Sequence, residues 1–181
     1  MDEVKSPVVS EVLPLLTLVL GGARSGKSRH AEAMVAGDGP APWTYVATAQ
    51  AFDDEMRERI AIHRADRATG WETVEAPLDL AGALDAAPPG RAVLVDCLTL
   101  WLTNLILGDH EVAVATRGLE AALARRRALT VLVANEVGLG IVPDNALARR
   151  FRDEAGRLNQ RLAVLAGQVH FLVAGIPMVV K

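Results

Sequence analysis

The chain has 181 residues, 51% of them apolar and 23% charged, with a formal net charge of −3. That length accommodates one domain with a substantial core and is too short for two ordinary domains and a linker. The mild negative charge gives no electrostatic footing for nucleic acid as a partner, and no apolar run reaches the roughly 18 residues that span a bilayer.

The opening MDEVKSPVVSEVLPLL has acidic residues early, a proline in its apolar half and no small-residue cleavage pattern. Residues 1–14 therefore read as a loose leader and not as a signal peptide, with the globular domain spanning 15–181. Short apolar runs then alternate with longer amphipathic ones, the pattern of βαβ units around a largely parallel, buried sheet, which makes the fold class α/β. Strands are expected at Leu15–Leu20, Trp43–Ala47, Ala92–Asp96, Thr130–Ala134 and Val169–Ala174, all rich in Val, Leu and aromatic residues. Helices are expected to start near Lys27, Asp53, Leu78, Thr99, Val112 and Asn145, with loops at Gly37–Pro42 and Pro88-Pro89-Gly90.

In the last helix Leu147, Phe151, Leu158, Leu162 and Leu165 recur at helical spacing and are assigned to the core. The basic run Arg125–Arg127 reads as a solvated helix end. A lone cysteine, Cys97, excludes an internal disulfide and fits a reducing compartment, so the cytoplasm is the expected location.

Between the first strand and the first helix, Gly21-Gly22-Ala23-Arg24-Ser25-Gly26-Lys27-Ser28 matches G-x-x-x-x-G-K-[ST]. Glycines let the backbone curl so that successive N–H groups point at a phosphate, and the following helix adds its unpaired N–H groups and positive dipole end. Lys27 supplies a mobile charge to the β- and γ-phosphates, and Ser28 a hydroxyl to Mg²⁺. A plain glycine turn would explain the glycines but not the adjoining Lys-Ser. Asp96, after the apolar run AVLV, has two readings: a metal partner at the end of a buried strand, or a cap on the helix that follows.

His63 lies in AFDDEMRERIAIHRADR, on the same helix face as Met56 and Ile60. Such a histidine is commonly a packed or surface residue; it is also a nucleophile that is mostly neutral near pH 7. Arg59, Arg64 and Arg67 beside it read either as a solvated face or as partners for phosphate oxygens. His30 falls on the helix after the glycine loop, His110 in a loop and His170 inside an apolar strand, where a core role is expected. None is spaced for zinc with Cys97.

Four segments together resemble the bifunctional adenosylcobinamide kinase and adenosylcobinamide-phosphate guanylyltransferase family of cobalamin biosynthesis. They are GGARSGKSRHAE, YVATAQAFDDEMRERIAIHRADR with WETVEAP following, LVDCLTLWLTNL, and ANEVGLGIVPDNALARRFRDEAGRLNQRLA. The resemblance covers nearly everything after the leader. It implies a RecA-like P-loop fold and a homotrimer, with GTP at the Gly21–Ser28 loop, ATP as an alternative donor for the kinase step, and Mg²⁺ held with Ser28 and Asp96.

The family's reactive histidine stands in R-I-x-x-H-[KR]-x-x-R, here Arg59, Ile60, His63, Arg64 and Arg67, so the resemblance makes His63 the guanylylated residue and Lys27 the second catalytic group. It further implies a nucleotide site completed by Ala47, Thr48, Ala49, Arg64, Ala65, Asp66, Arg67 and Asp96, with either Glu75 or Glu72. The implied substrates are adenosylcobinamide and its phosphate. The leader before Leu15 is longer than the resemblance leads one to expect, some relatives carry a second histidine just before the reactive one, and Glu is an alternative among relatives at the position of Asp96. A kinase without guanylyl transfer would have no use for His63, and a GTP-driven switch is disfavoured because no N-K-x-D occurs.

Overall fold

A computed structural model describes residues 13–50, 54, 58 and 68–181 of the chain. In chain order its elements are β1 (Leu13–Gly21), α1 (Lys27–Asp38), β2 (Trp43–Ala47), β3 (Trp71–Glu75), α2 (Leu80–Ala86), β4 (Val93–Asp96), α3 (Leu98–Leu107), α4 (Val112–Arg125), β5 (Thr130–Asn135), α5 (Ala146–Leu165), β6 (Ala166–Val173) and β7 (Ile176–Val179).

The seven strands form one sheet in the order β3-β2-β4-β5-β1-β6-β7. Every pairing is parallel except β6 with β7. The central strands read as unbroken apolar runs because helices cover both faces. Leu16 and Leu18 of β1, Val93 and Val95 of β4 and Leu132 of β5 face α2, α3, α4 and α5 in one cluster. Their alternates Val19, Leu94, Val131 and Val133 pack with Ala31 and Val35 of α1 in the other. Chain following β1 passes to β2 on one side, whereas chain following β5 crosses to β6 on the other. Such a reversal opens a crevice at the carboxyl ends of the strands.

All five expected strands are present, with β1 starting two residues earlier, at Leu13, and β6 three residues earlier, at Ala166. The expected loop at Gly37–Pro42 begins later, since α1 runs on through Gly37 and Asp38. Two strands lay outside the sequence expectation, β3 and β7, and both are sheet edges. Leu147 is a correction: it is 52% exposed, because the first turn of α5 overhangs a stretch whose burial begins at Ala155 and continues through Leu158 and Leu162. Asn145 caps α5, its side chain accepting from Ala148 N at 2.8 Å. The Arg125–Arg127 run is solvated at Arg125, which pairs with Asp85, and at Arg127, but the Arg126 side chain turns inward and donates to Arg91 O at 2.5 Å. The helix expected from Asp53 lies largely outside the described residues; within it, Asp54 and Glu58 are helical.

Candidate active site

Parallel pairing brings the last residues of five strands to one edge. Glu75 lies beside Ala47, Ala47 beside Asp96, and Gly21 between Asn135 and Leu172. The chain leaves β1 at Gly21, turns through residues 22–25, and enters α1 at Lys27 after Gly26, whose φ of 92° is left-handed. A Cβ on Gly21 would sit 2.7 Å from Leu172 O, so the loop can lie this close to β6 only with glycine there. The first turn of α1 has neither a side-chain cap nor an acidic residue, which leaves its N–H groups and dipole for an anion.

Hydrogen bonds fix the loop from within and without. Ser25 N donates to Gly22 O at 3.3 Å, and Lys27 Nζ donates to the same carbonyl at 2.6 Å. From outside, Glu136 N donates to Gly21 O at 3.0 Å and Gly175 N to Ser25 O at 2.9 Å. Lys27 is only 7% exposed. Burial pushes the pKa of its ammonium below the usual lysine value, opposed by the negative charge of Asp96 and, more weakly, by Cys97. A buried cation with a carboxylate in its field and unpaired amides beside it can hold a polyphosphate.

Asp96 ends β4, one strand removed from β1 with β5 between them. Tyr45 Oη donates to its Oδ2 at 3.0 Å. The next residue, Cys97, is buried and its thiol is pushed up to about 11, first by burial and then by the neighbouring Asp96 charge, so it stays protonated and is a poor nucleophile. Thr48, fully buried, holds this corner: its Oγ1 donates to Cys97 O at 2.7 Å and accepts from Cys97 N at 2.9 Å. Asn104 of α3 then donates to Thr48 O at 2.8 Å and to Pro77 O at 2.9 Å, tying the ends of β2 and β3 together. Thr99 accepts from Asn135 N at 2.7 Å and anchors the end of β5.

Of the residues singled out by the sequence, Gly21, Gly22, Ala23, Arg24, Ser25, Gly26, Lys27 and Ser28 form the loop and helix start, and Ala47, Thr48, Asp96 and Glu75 share its edge of the sheet. Ala49 follows Thr48 there. Glu72 stands nearer the other end of β3 and is ion-paired with Arg91, which leaves Glu75 as the glutamate at the carboxyl edge. His63, Arg64, Ala65, Asp66 and Arg67, with Arg59 and Ile60, lie outside the described residues. His170 corrects the core reading: it is half-buried, and its Nδ1 is 2.8 Å from Nε2 of His30 on α1. Sequence reasoning missed Tyr45, Asn104 and Gly175. A signal existed for Asn104, an amide in the middle of the apolar helix LTLWLTNLIL, where a buried polar group demands partners.

Among the described residues no three His, Cys, Asp or Glu side chains form a metal-holding group, and no helix is long and apolar enough to cross a membrane. A cavity of about 660 Å³ lined by Leu13, Leu16, Arg117, Arg126 and Thr130 sits at the amino ends of β1 and β5, away from the phosphate loop.

Residues 17–180 match the family described as cobinamide kinase / cobinamide phosphate guanyltransferase. A Pseudomonas aeruginosa protein named bifunctional adenosylcobalamin biosynthesis protein CobP is 52% identical over 167 residues, covering 91% of this chain and 96% of that one. A Salmonella typhimurium protein named bifunctional adenosylcobalamin biosynthesis protein CobU is 46% identical, covering 92% of this chain and all of that one. Among solved structures, an ATPase domain of G40P superposes with a TM-score of 0.47 at 14% identity, over 87% of this chain and 69% of that one. With a matching family over nearly its whole length and such relatives, the chain belongs to the bifunctional cobinamide kinases and cobinamide phosphate guanylyltransferases of adenosylcobalamin biosynthesis.

Proposed function

We propose that the Gly21–Ser28 loop serves both activities of this bifunctional enzyme, and that in the second of them His63 carries GMP from GTP to adenosylcobinamide phosphate. In the kinase step the hydroxyl of the aminopropanol arm of adenosylcobinamide attacks the γ-phosphate of ATP or GTP, and the nucleoside diphosphate leaves. Catalysis there is mostly positioning and charge neutralisation by Lys27 and the loop amides. In the transfer step a ring nitrogen of His63 attacks the α-phosphate of GTP. The N–P bond forms as the bond to the bridging oxygen breaks, and pyrophosphate departs. A phosphate oxygen of adenosylcobinamide phosphate then displaces His63, giving adenosylcobinamide-GDP and the free imidazole. The loop amides that match a triphosphate also match the departing pyrophosphate.

The observation that carries this reading is the buried Lys27 in the field of Asp96 beside an uncapped helix start, at the one edge where the strand ends converge. Ala47, Thr48, Ala49, Arg64, Ala65, Asp66, Arg67 and Glu75 complete the nucleotide site in this proposal. Ser28 and Asp96 offer a hydroxyl and a carboxylate, hard oxygen donors suited to Mg²⁺, which keeps water and phosphate oxygens for most of its sites. Bound there, Mg²⁺ would neutralise charge on the β- and γ-phosphates. The assembly proposed is a cytoplasmic homotrimer; the exposed apolar residues of β7, Ile176, Met178 and Val179, support association of copies.

Incubation with α-labelled GTP followed by denaturation tests the scheme. Native chain retains an acid-labile, alkali-stable label, His63→Ala retains none while keeping kinase activity, and Lys27→Ala is impaired in both steps. Label on the His63→Ala chain would dismiss His63, and undiminished labelling of Lys27→Ala would dismiss the shared loop.

A further inference from the structure

We infer that Gly175, in the turn between β6 and β7, is a positioning residue for phosphate recognition: it sets the orientation of the Ser25–Gly26 peptide in the phosphate loop. The inference rests on the triphosphate lying in the Gly21–Ser28 loop. Gly175 N donates to Ser25 O at 2.9 Å, a contact across 150 residues of chain. A peptide unit is planar, and in its trans form the carbonyl and the following N–H point in opposite directions. Holding Ser25 C=O against the β6–β7 turn therefore aims Gly26 N–H away from that turn. The same logic applies at Gly21, whose carbonyl is held by Glu136 N. Two peptide planes of the loop are thus fixed by donors outside it, and one of those donors comes from a hairpin turn.

The turn is shaped for this contact. Val173 pairs with Ile176, so only Ala174 and Gly175 connect the strands. Both have positive φ, 52° and 82°. Two-residue turns of that kind favour Asn-Gly, and the alanine at the first position adopts a conformation that its Cβ disfavours. The approach to the loop is close: a Cβ on Gly26 would stand 3.3 Å from Gly175 Cα. At Gly175 itself a Cβ would meet nothing within 4 Å, so space does not demand glycine there and only the backbone conformation does.

That difference defines the experiment. Gly175→Val, Gly175→Ala and Gly175→Asn all keep the N–H, and the Cβ that each adds meets nothing within 4 Å, but only asparagine tolerates the left-handed conformation readily. GTP binding to the full-length chain is measured by equilibrium dialysis, with kinase kcat and KM for the nucleotide and with thermal midpoints. Valine is expected to weaken GTP binding by about tenfold or more, appearing as a raised nucleotide KM, with alanine intermediate and asparagine within about threefold of the native chain. Should the valine variant fail to fold, the alanine and asparagine pair decides. Lys27→Ala run alongside separates the two levels. If it loses GTP while all folded Gly175 variants bind like the native chain, the role of Gly175 is refuted. If Lys27→Ala itself binds GTP normally, the phosphate-loop reading fails and the inference goes with it.

Discussion

Replacing Asn104 by leucine, which is close to it in size, tests whether the corner that holds the strand ends depends on one amide. Asn104 is 5% exposed and spends both of its N–H groups, on Thr48 O and Pro77 O. Leucine keeps the volume and suits a helix better, by a few tenths of a kcal/mol, but leaves two carbonyls without their donor. An orphaned buried polar group costs about 1–3 kcal/mol, so the net loss comes to roughly 2–5 kcal/mol. In a chain of this size each kcal/mol moves the thermal midpoint by about 2–4 °C, which predicts a fall of roughly 4–20 °C. Urea unfolding of the same variant reports a lower midpoint at unchanged slope if the native state alone is affected. Asn104→Asp is the companion: it keeps the shape, supplies no donor when ionised, and faces two carbonyls, so it is expected to lose at least as much. A leucine variant within about 0.5 kcal/mol of the native chain would show that both carbonyls find other donors, and the bridge would carry no weight.

The His30–His170 contact needs one ring to donate and the other to accept, so both cannot be protonated while it lasts. Burial lowers both pKa values below the ordinary histidine value, with His170 adding repulsion at His30. A depressed folded-state pKa means stability that is intact above the unfolded value of about 6.5 and lost as pH falls through the folded one. The thermal midpoint should therefore drop more steeply on acidification from pH 7.5 to 5 in the native chain than in a His30→Asn, His170→Asn double variant, and parallel curves would discard the pair as a titrating element. The proposed trimer predicts a sedimenting mass of three times the 19.3 kDa chain. Met178→Glu on the exposed β7 should lower it, and a native chain running as a monomer would dismiss the assembly.

How much of this the sequence revealed depended on whether the relevant forces were local. β1, β4 and β5 were legible because a strand buried on both faces must be apolar throughout, and few other elements look like that. The phosphate loop was legible for a related reason: curling the backbone, starting a helix and placing a cation are tasks that adjacent residues do together, so Gly21 to Ser28 record them in one short stretch. β3 was not, since WETVE is an edge strand with four of its five residues exposed, and its one apolar alternate, Val74, is 41% exposed. β7 hid inside the run QVHFLVAGIPMVV, where Ala174-Gly175 is an inconspicuous turn and Pro177 argues against a strand that only an edge position tolerates.

The site shows the same division. Lys27 and Asp96 could be named from their own neighbourhoods, but nothing near Tyr45 says that its hydroxyl will reach Asp96, 51 positions away, and nothing near Gly175 says that its N–H will close on Ser25. These contacts exist because parallel pairing aligns strand ends that are distant in the chain: the register Ala47 to Asp96 carries Tyr45, two residues earlier on β2, up against the end of β4. Strand order and register are sums over the whole sheet, fixed by which apolar faces bury best against which helices, and no window of ten residues contains them. Residues proposed for the chemistry are therefore readable in sequence where they sit in a motif, whereas residues that brace them become visible only when the sheet has been assembled.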